Sequence, residues 1–186
     1  MSQAIDSRPG HVLIAWLVLS MLHLGLSARH LSVPGLNYDE VVHAGFARDF
    51  VEGNPRGSHF PDTETISLFG RPFPWRTAFY EGGVKSQFLI PTFALFRPSP
   101  QALRLTTIAW GLLGLLFAML WADRMLGWPI AMLCGALMAF DPSLLFAARQ
   151  DWGAVGPGLG LRCAGFYLMV VWWHSSRMWA AVAAGL

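Results

Sequence analysis

The chain has 186 residues, 54% of them hydrophobic and only 13% charged, with a formal net charge of +2. An ordinary soluble domain carries roughly twice that share of charge, so much of this chain has lipid as its solvent. The bases are scattered arginines with a single lysine, which leaves no basic stripe of the kind a nucleic-acid groove needs.

Spanning a bilayer takes about 20 apolar residues, because every backbone amide must be satisfied internally where there is no water. The first stretch that qualifies is Val12 to Ala28. Arg8 ahead of it and Leu26-Ser27-Ala28 at its end imitate a cleavable signal. Its length and the apolar segments that follow favour an uncleaved first span with a cytoplasmic N-terminus.

The segment from 29 to 85 is the aqueous part. Of the 11 acids, seven lie here: Asp39, Glu40, Asp49, Glu52, Asp62, Glu64 and Glu81. After Pro34-Gly35, either Asn37 or Asp39 can cap a helix running to about Val51. Val41, Val42, Phe46 and Phe50 recur near helical spacing on it, which predicts an amphipathic helix along the membrane surface. Beyond Gly53-Asn54-Pro55, the residues Gly57, Pro61, Gly70, Pro72 and Pro74 predict an irregular path without long regular elements. Trp75, Phe79 and Tyr80 then return the chain to the interface, and Lys85 closes the loop.

From 87 onward the chain is again mostly apolar. Leu105 to Ala122 and a glycine-rich stretch near Gly153 to Trp173 are long enough to span. Two others are interrupted, Gln87 to Phe96 by Pro91 and Trp128 to Ala148 by Asp141-Pro142, and predict kinked or re-entrant helices. A last apolar run begins at Met178 and is too short to cross, the pattern of an N-terminal portion of a longer protein. Cys134 and Cys163 lie in apolar runs without C-x-x-C spacing and read as small core hydrophobes. The fold class expected is all-α: a polytopic transmembrane helix bundle with a juxtamembrane helical loop after the first span.

The chemistry concentrates in the loop. Adjacent carboxylates such as Asp39 and Glu40 perturb one another near a low-dielectric boundary, and one can accept a proton from a hydroxyl. A helix N-terminus also favours acids through its dipole, a reading that needs no catalysis. His43 follows Asp39 by four residues and shares its helical face, a spacing that suits a proton relay or a divalent metal. His59, Asp62 and Glu64 are the further ligands a metal would draw on, but no second histidine stands at ligand spacing from His43. His23, inside the first span, reads as a helix-packing hydrogen-bonder.

The order of these features resembles one family. Tyr38-Asp39-Glu40 after a first span, Tyr80-Glu81-Gly82-Gly83-Val84-Lys85 entering an apolar segment, Leu103-Arg104-Leu105 opening another, and Asp141-Pro142 followed by Arg149-Gln150-Asp151 look like the polytopic GT-C glycosyltransferases. The similarity is to the protein O-mannosyltransferase and aminoarabinose-transferase group (glycosyltransferase family 39-like). It runs from about Val12 to Trp173, and it departs from the family pattern at Gly82-Gly83 and at the short spacing from Arg149 to Asp151.

The resemblance implies a hexosyl- or pentosyltransferase moving a sugar from a polyprenyl-phosphate donor to an acceptor, be it protein, lipid or glycan, at the outward face of a plasma membrane. The alanine, glycine, arginine and tryptophan bias is compatible with a GC-rich bacterial source. In this reading Asp39 matches the catalytic base and Glu40 tunes it. Lys85 and Arg104 hold the donor phosphate, Glu81, Arg149 and Asp151 complete the substrate site, and a divalent metal is an optional cofactor. Membrane lipid is a partner in any case. The alternative is a non-catalytic polytopic protein, a transporter module or an assembly subunit, whose loop binds a partner. One topological question bears on both readings, since Asp151 reaches the compartment of Asp39 only if an interrupted segment fails to cross.

Overall fold

In the computed structural model, residues 7–29, 31–33, 35–54, 64–78, 81–150, 153 and 155–185 are described, Ala78 and Glu81 by backbone alone. Among them the helices are α1 (Pro9–Ser27), α2 (Tyr38–Glu52), α3 (Val84–Phe96), α4 (Pro100–Leu126), α5 (Trp128–Ala139), α6 (Pro142–Gln150), α7 (Val155–Ser175) and α8 (Met178–Ala184). Strands β1 (Glu64–Leu68), β2 (Arg71–Ala78) and β3 (Glu81–Gly82) form one antiparallel sheet in the order β1-β2-β3. The chain divides into two compact units, one of Met1–Arg29, Ile108–Ala148 and Val155–Leu186, the other of His30–Thr107 and Arg149–Ala154.

The first unit is built from membrane-type helices. α1, α4 and α7 are each long and apolar enough to cross a bilayer, and α5 with α6, bent by 52° at their break, make a fourth candidate. Three to four such helices are the signature of an integral membrane protein. The burial pattern of α1 is inverted relative to a soluble helix. Ser20, His23 and Ser27 are buried while Ile14, Leu17, Val18 and Met21 are exposed, as expected where the surroundings are hydrocarbon and polar side chains turn inward.

Small residues let these helices approach closely. A Cβ on Gly160 would stand 2.7 Å from the Trp110 ring, so only glycine fits the α4–α7 crossing. Asp123 of α4 serves as a remote cap for α1: its carboxylate accepts from Ser7 Oγ at 2.6 Å and from the Arg8 amide at 3.1 Å, at the end of the helix whose dipole favours an anion.

The break between α5 and α6 follows from Pro142. With no N–H it cannot return a hydrogen bond to Met138, and the Met138 carbonyl accepts instead from Asp141 at 3.3 Å. The bend also opens the next carbonyl, Ala139, to a partner outside the helix. His23 Nδ1 of α1 lies 2.9 Å from it, the hydrogen-bonding role expected from sequence.

The second unit departs from expectation in two ways, and both trace to one hairpin. The stretch expected to be irregular contains β1 and β2, paired Leu68 with Arg71 and Ile66 with Phe73. Its prolines are tolerated for a local reason. The Pro74 carbonyl faces away from β1 and accepts from Gln87 Nε2 at 2.8 Å. N and C=O of a strand residue point the same way, so the missing N–H of Pro74 removes nothing from the β1 ladder. The fold is therefore mostly helical with a small sheet, and not all-α.

The second departure concerns α2. Its apolar face is packed inside the unit, with Val42, Phe46 and Ala47 buried, and Phe50 meets Phe73 of β2 edge to face at 5.5 Å. Leu89 and Phe93 of α3 and Leu103 of α4 join Ala47 in the core. The hairpin and α3 thus occupy the face expected to lie on lipid.

Candidate functional site

Asn37 starts α2. Its Oδ1 accepts from the Glu40 amide at 2.9 Å, and Glu40 Oε2 accepts from the Asn37 amide at 2.9 Å, a reciprocal capping box. Of the two caps the sequence allowed, Asn37 is therefore the one used, and Asp39 falls in the first turn. Gly53, at φ 69°, closes the other end, a left-handed position that glycine takes without steric cost.

The capping box turns Glu40 inward and divides the acid pair. Glu40 and Arg104 are both fully buried and meet through two parallel bonds, Nε to Oε1 at 2.7 Å and Nη2 to Oε2 at 2.9 Å. Arg104 also donates to the carbonyls of Leu31 at 2.7 Å and Gly35 at 3.2 Å. The forked guanidinium suits this arrangement, pairing a carboxylate side-on while tying down the segment that leads into α2. Asp39 is only half-buried, and among the described residues none hydrogen-bonds or ion-pairs with its carboxylate.

One turn along the same face lies His43, buried. Burial, and after it the positive charge of Lys85, push its imidazole down from the ordinary 6.5 to about 3, so the ring is neutral at physiological pH. Lys85 is itself 4% exposed and its ammonium donates to the Gly153 carbonyl.

The start of α3 is fixed against β2. The Gly83 amide donates to the Trp75 carbonyl at 2.8 Å, and a Cβ at 83 would collide with the Pro74 carbonyl. Gly83 is thus required by the close approach of two backbones. Lys85, two residues on, inherits that position.

The segment from Arg149 reaches the same region. Asn37 Nδ2 donates to the Gln150 carbonyl at 2.6 Å, and Gly153 receives Lys85. Asp151 lies outside the described residues. Arg149 lies in the last turn of α6, half-buried. Glu81 pairs through its backbone with Ala78 in the sheet, and its side chain is not described.

Of the residues singled out in the sequence, the structure therefore sets Lys85 close enough to His43 to act on it, with Asp39 one turn of α2 away from His43, and sets Glu40 and Arg104 on each other. Among the described residues no three histidine, cysteine or carboxylate side chains converge as metal ligands. Glu64 is exposed and paired with Arg76 at 2.7 Å, while His59 and Asp62 lie outside the described residues. Sequence reasoning missed Asn37 as a tether and Gly83 as a spacer. The signal for the first was an N-cap amide with a spare donor.

Helical spacing sets Val41, Ala44, Gly45 and Arg48 on the opposite side of α2 from Asp39. There they join Phe93, Pro98 and Leu103 around an apolar cleft of about 220 Å³. No protein-family model, curated protein or solved structure matches the chain.

Proposed function

We propose that the chain forms part of a membrane glycosyltransferase that moves a sugar from a polyprenyl-phosphate donor to an acceptor hydroxyl, with Asp39 as base on the outward face of a bacterial plasma membrane. The observation that carries this reading is the division of labour between adjacent acids. Glu40 is consumed by Arg104, whereas Asp39 is half-exposed, without a described partner, and one turn from a neutral histidine that feels the charge of the buried Lys85.

In this reading the acceptor oxygen attacks the anomeric carbon while its proton passes to the Asp39 carboxylate. The bond between that carbon and the phosphate oxygen breaks, and the electron pair leaves with the polyprenyl phosphate. Lys85 stabilises the charge on the leaving phosphate, exchanging the Gly153 carbonyl for a phosphate oxygen. Arg104 changes role from the sequence expectation. With its guanidinium engaged by Glu40, Leu31 and Gly35, it positions the first turn of α2 and leaves the donor to Lys85. Glu81, Arg149 and Asp151 remain candidates for the acceptor side.

The test is transfer from a polyprenyl-phosphate sugar in membranes carrying the full-length protein, with and without Asp39→Asn. Loss of transfer with normal insertion supports the assignment. Retained transfer overturns Asp39 as the base, and absence of transfer by the unsubstituted protein favours the non-catalytic alternative, in which the loop binds a partner and Asp39 only complements the helix dipole.

A further inference from the structure

The turn between β1 and β2 carries a residue that neither the turn nor the core accounts for. Phe69 and Gly70 both have positive φ, 54° and 74°, between the paired residues Leu68 and Arg71. This is the two-residue hairpin turn in which asparagine or glycine is favoured at the first position and an aromatic residue is out of place. Phe69 is nevertheless 91% exposed, so packing within the chain does not compensate for its backbone.

The support beneath it is braced. Arg71 donates to the carbonyls of Phe50 and Val51 at the end of α2, and Phe73 packs on Phe50. Strand alternation sets Ile66 and Phe73 on one face of the hairpin and Thr65 and Ser67 on the other, and Trp75 stands at a bulge, where Glu64 pairs with Arg76 and Thr65 with Pro74. Ile66 and Trp75 are both exposed.

Three features commit this surface to lipid. The unit is tethered to a bilayer by its own chain, since it follows α1 and contains the start of α4, both candidate spans. Among the described residues of the hairpin the cations are engaged, Arg71 on backbone carbonyls and Arg76 on Glu64, which leaves apolar area as the attraction these residues offer. A tryptophan stands behind the apolar tip, the residue favoured at headgroup level.

We propose that the β1–β2 turn is a membrane anchor. Phe69 inserts into the interfacial layer, Ile66 and Trp75 sit behind it, and anionic lipid is not required. This inference is independent of any role for Asp39.

A nitroxide attached at Ile66→Cys, in the full chain with Cys134 and Cys163 replaced by alanine and reconstituted in phosphatidylcholine vesicles, reports the environment by collision with oxygen or with a water-soluble nickel chelate. Oxygen-favoured collision is expected, shifting toward the chelate by about threefold or more in Phe69→Asn and little changed by added phosphatidylglycerol. Asparagine suits the turn, so that variant keeps the hairpin. Chelate-favoured collision with Phe69 present overturns the proposal, and so does protection from both reagents, which means a protein surface or a second copy covers the tip. A label indifferent to Phe69→Asn overturns it as well, and dependence on phosphatidylglycerol refutes the charge-independent mechanism.

Discussion

Glu40 and Arg104 stand 64 positions apart in the chain and meet side-on, each without exposed surface. Removing one member of such a pair strands the other as a buried charge, which costs about 3–5 kcal/mol. Arg104→Met and Glu40→Gln are each expected to destabilise the protein on that scale in detergent unfolding experiments, and the double variant to recover part of the loss. Asp39→Asn, one residue away, is expected to shift stability by no more than about 0.5–1 kcal/mol, the dipole contribution alone. Equal losses at 39 and 40 would contradict the division between the two acids.

His43 gives the protein a pH dependence of determined sign. Its folded-state value, about 3, lies below the ordinary 6.5. Between those values the unfolded chain holds a proton that the folded chain does not, so stability falls as pH falls, by up to about 1.4 kcal/mol per pH unit. Above pH 6.5 the residue contributes no slope. His43→Gln is expected to flatten the acid limb of a stability-against-pH curve, and an unchanged limb would show that the ring accepts a proton without unfolding.

Gly83 and Gly82 are neighbours with opposite tolerance. A Cβ at 83 would strike the Pro74 backbone, whereas at 82 nothing lies within 4 Å. Gly83→Ala is expected to cost about 1–3 kcal/mol by overpacking and Gly82→Ala about 0.5 kcal/mol or less, measured by thermal unfolding of the two variants side by side.

His23 caps a carbonyl released by the bend after α5. His23→Leu keeps the volume and removes the hydrogen bond, with an expected loss of about 0.5–2 kcal/mol, the range for interhelical hydrogen bonds in membranes. A neutral result would mean that Ala139 finds another donor.

The long helices were legible because a run of about 20 apolar residues is a strong local signal, and the break at Asp141-Pro142 was legible because proline lacks a specific donor. The hairpin was not. Pro72 and Pro74 read as breakers, and only the pairing itself reveals that the Pro74 carbonyl faces Gln87 instead of β1. The apolar face of α2 was visible, but its partner was the unforeseen sheet, so lipid was assigned where Phe73 sits. In the site the acid pair was plain. Which acid was committed depended on Arg104, far along the chain, and a local pattern carries no trace of so distant a pairing.

Asn37 accepts from Glu40 through Oδ1 while donating to Gln150 through Nδ2, so the two ends of one amide are read by different parts of the chain. Its flip is fixed, since reversing it would face donor to donor at Glu40 and oxygen to oxygen at Gln150. Aspartate, the usual synonym for asparagine at a helix start, is no synonym here. It would cap α2 equally well and push the Gln150 carbonyl away, so a single nitrogen-for-oxygen exchange separates the making of the helix from the docking of the segment that leads to Asp151.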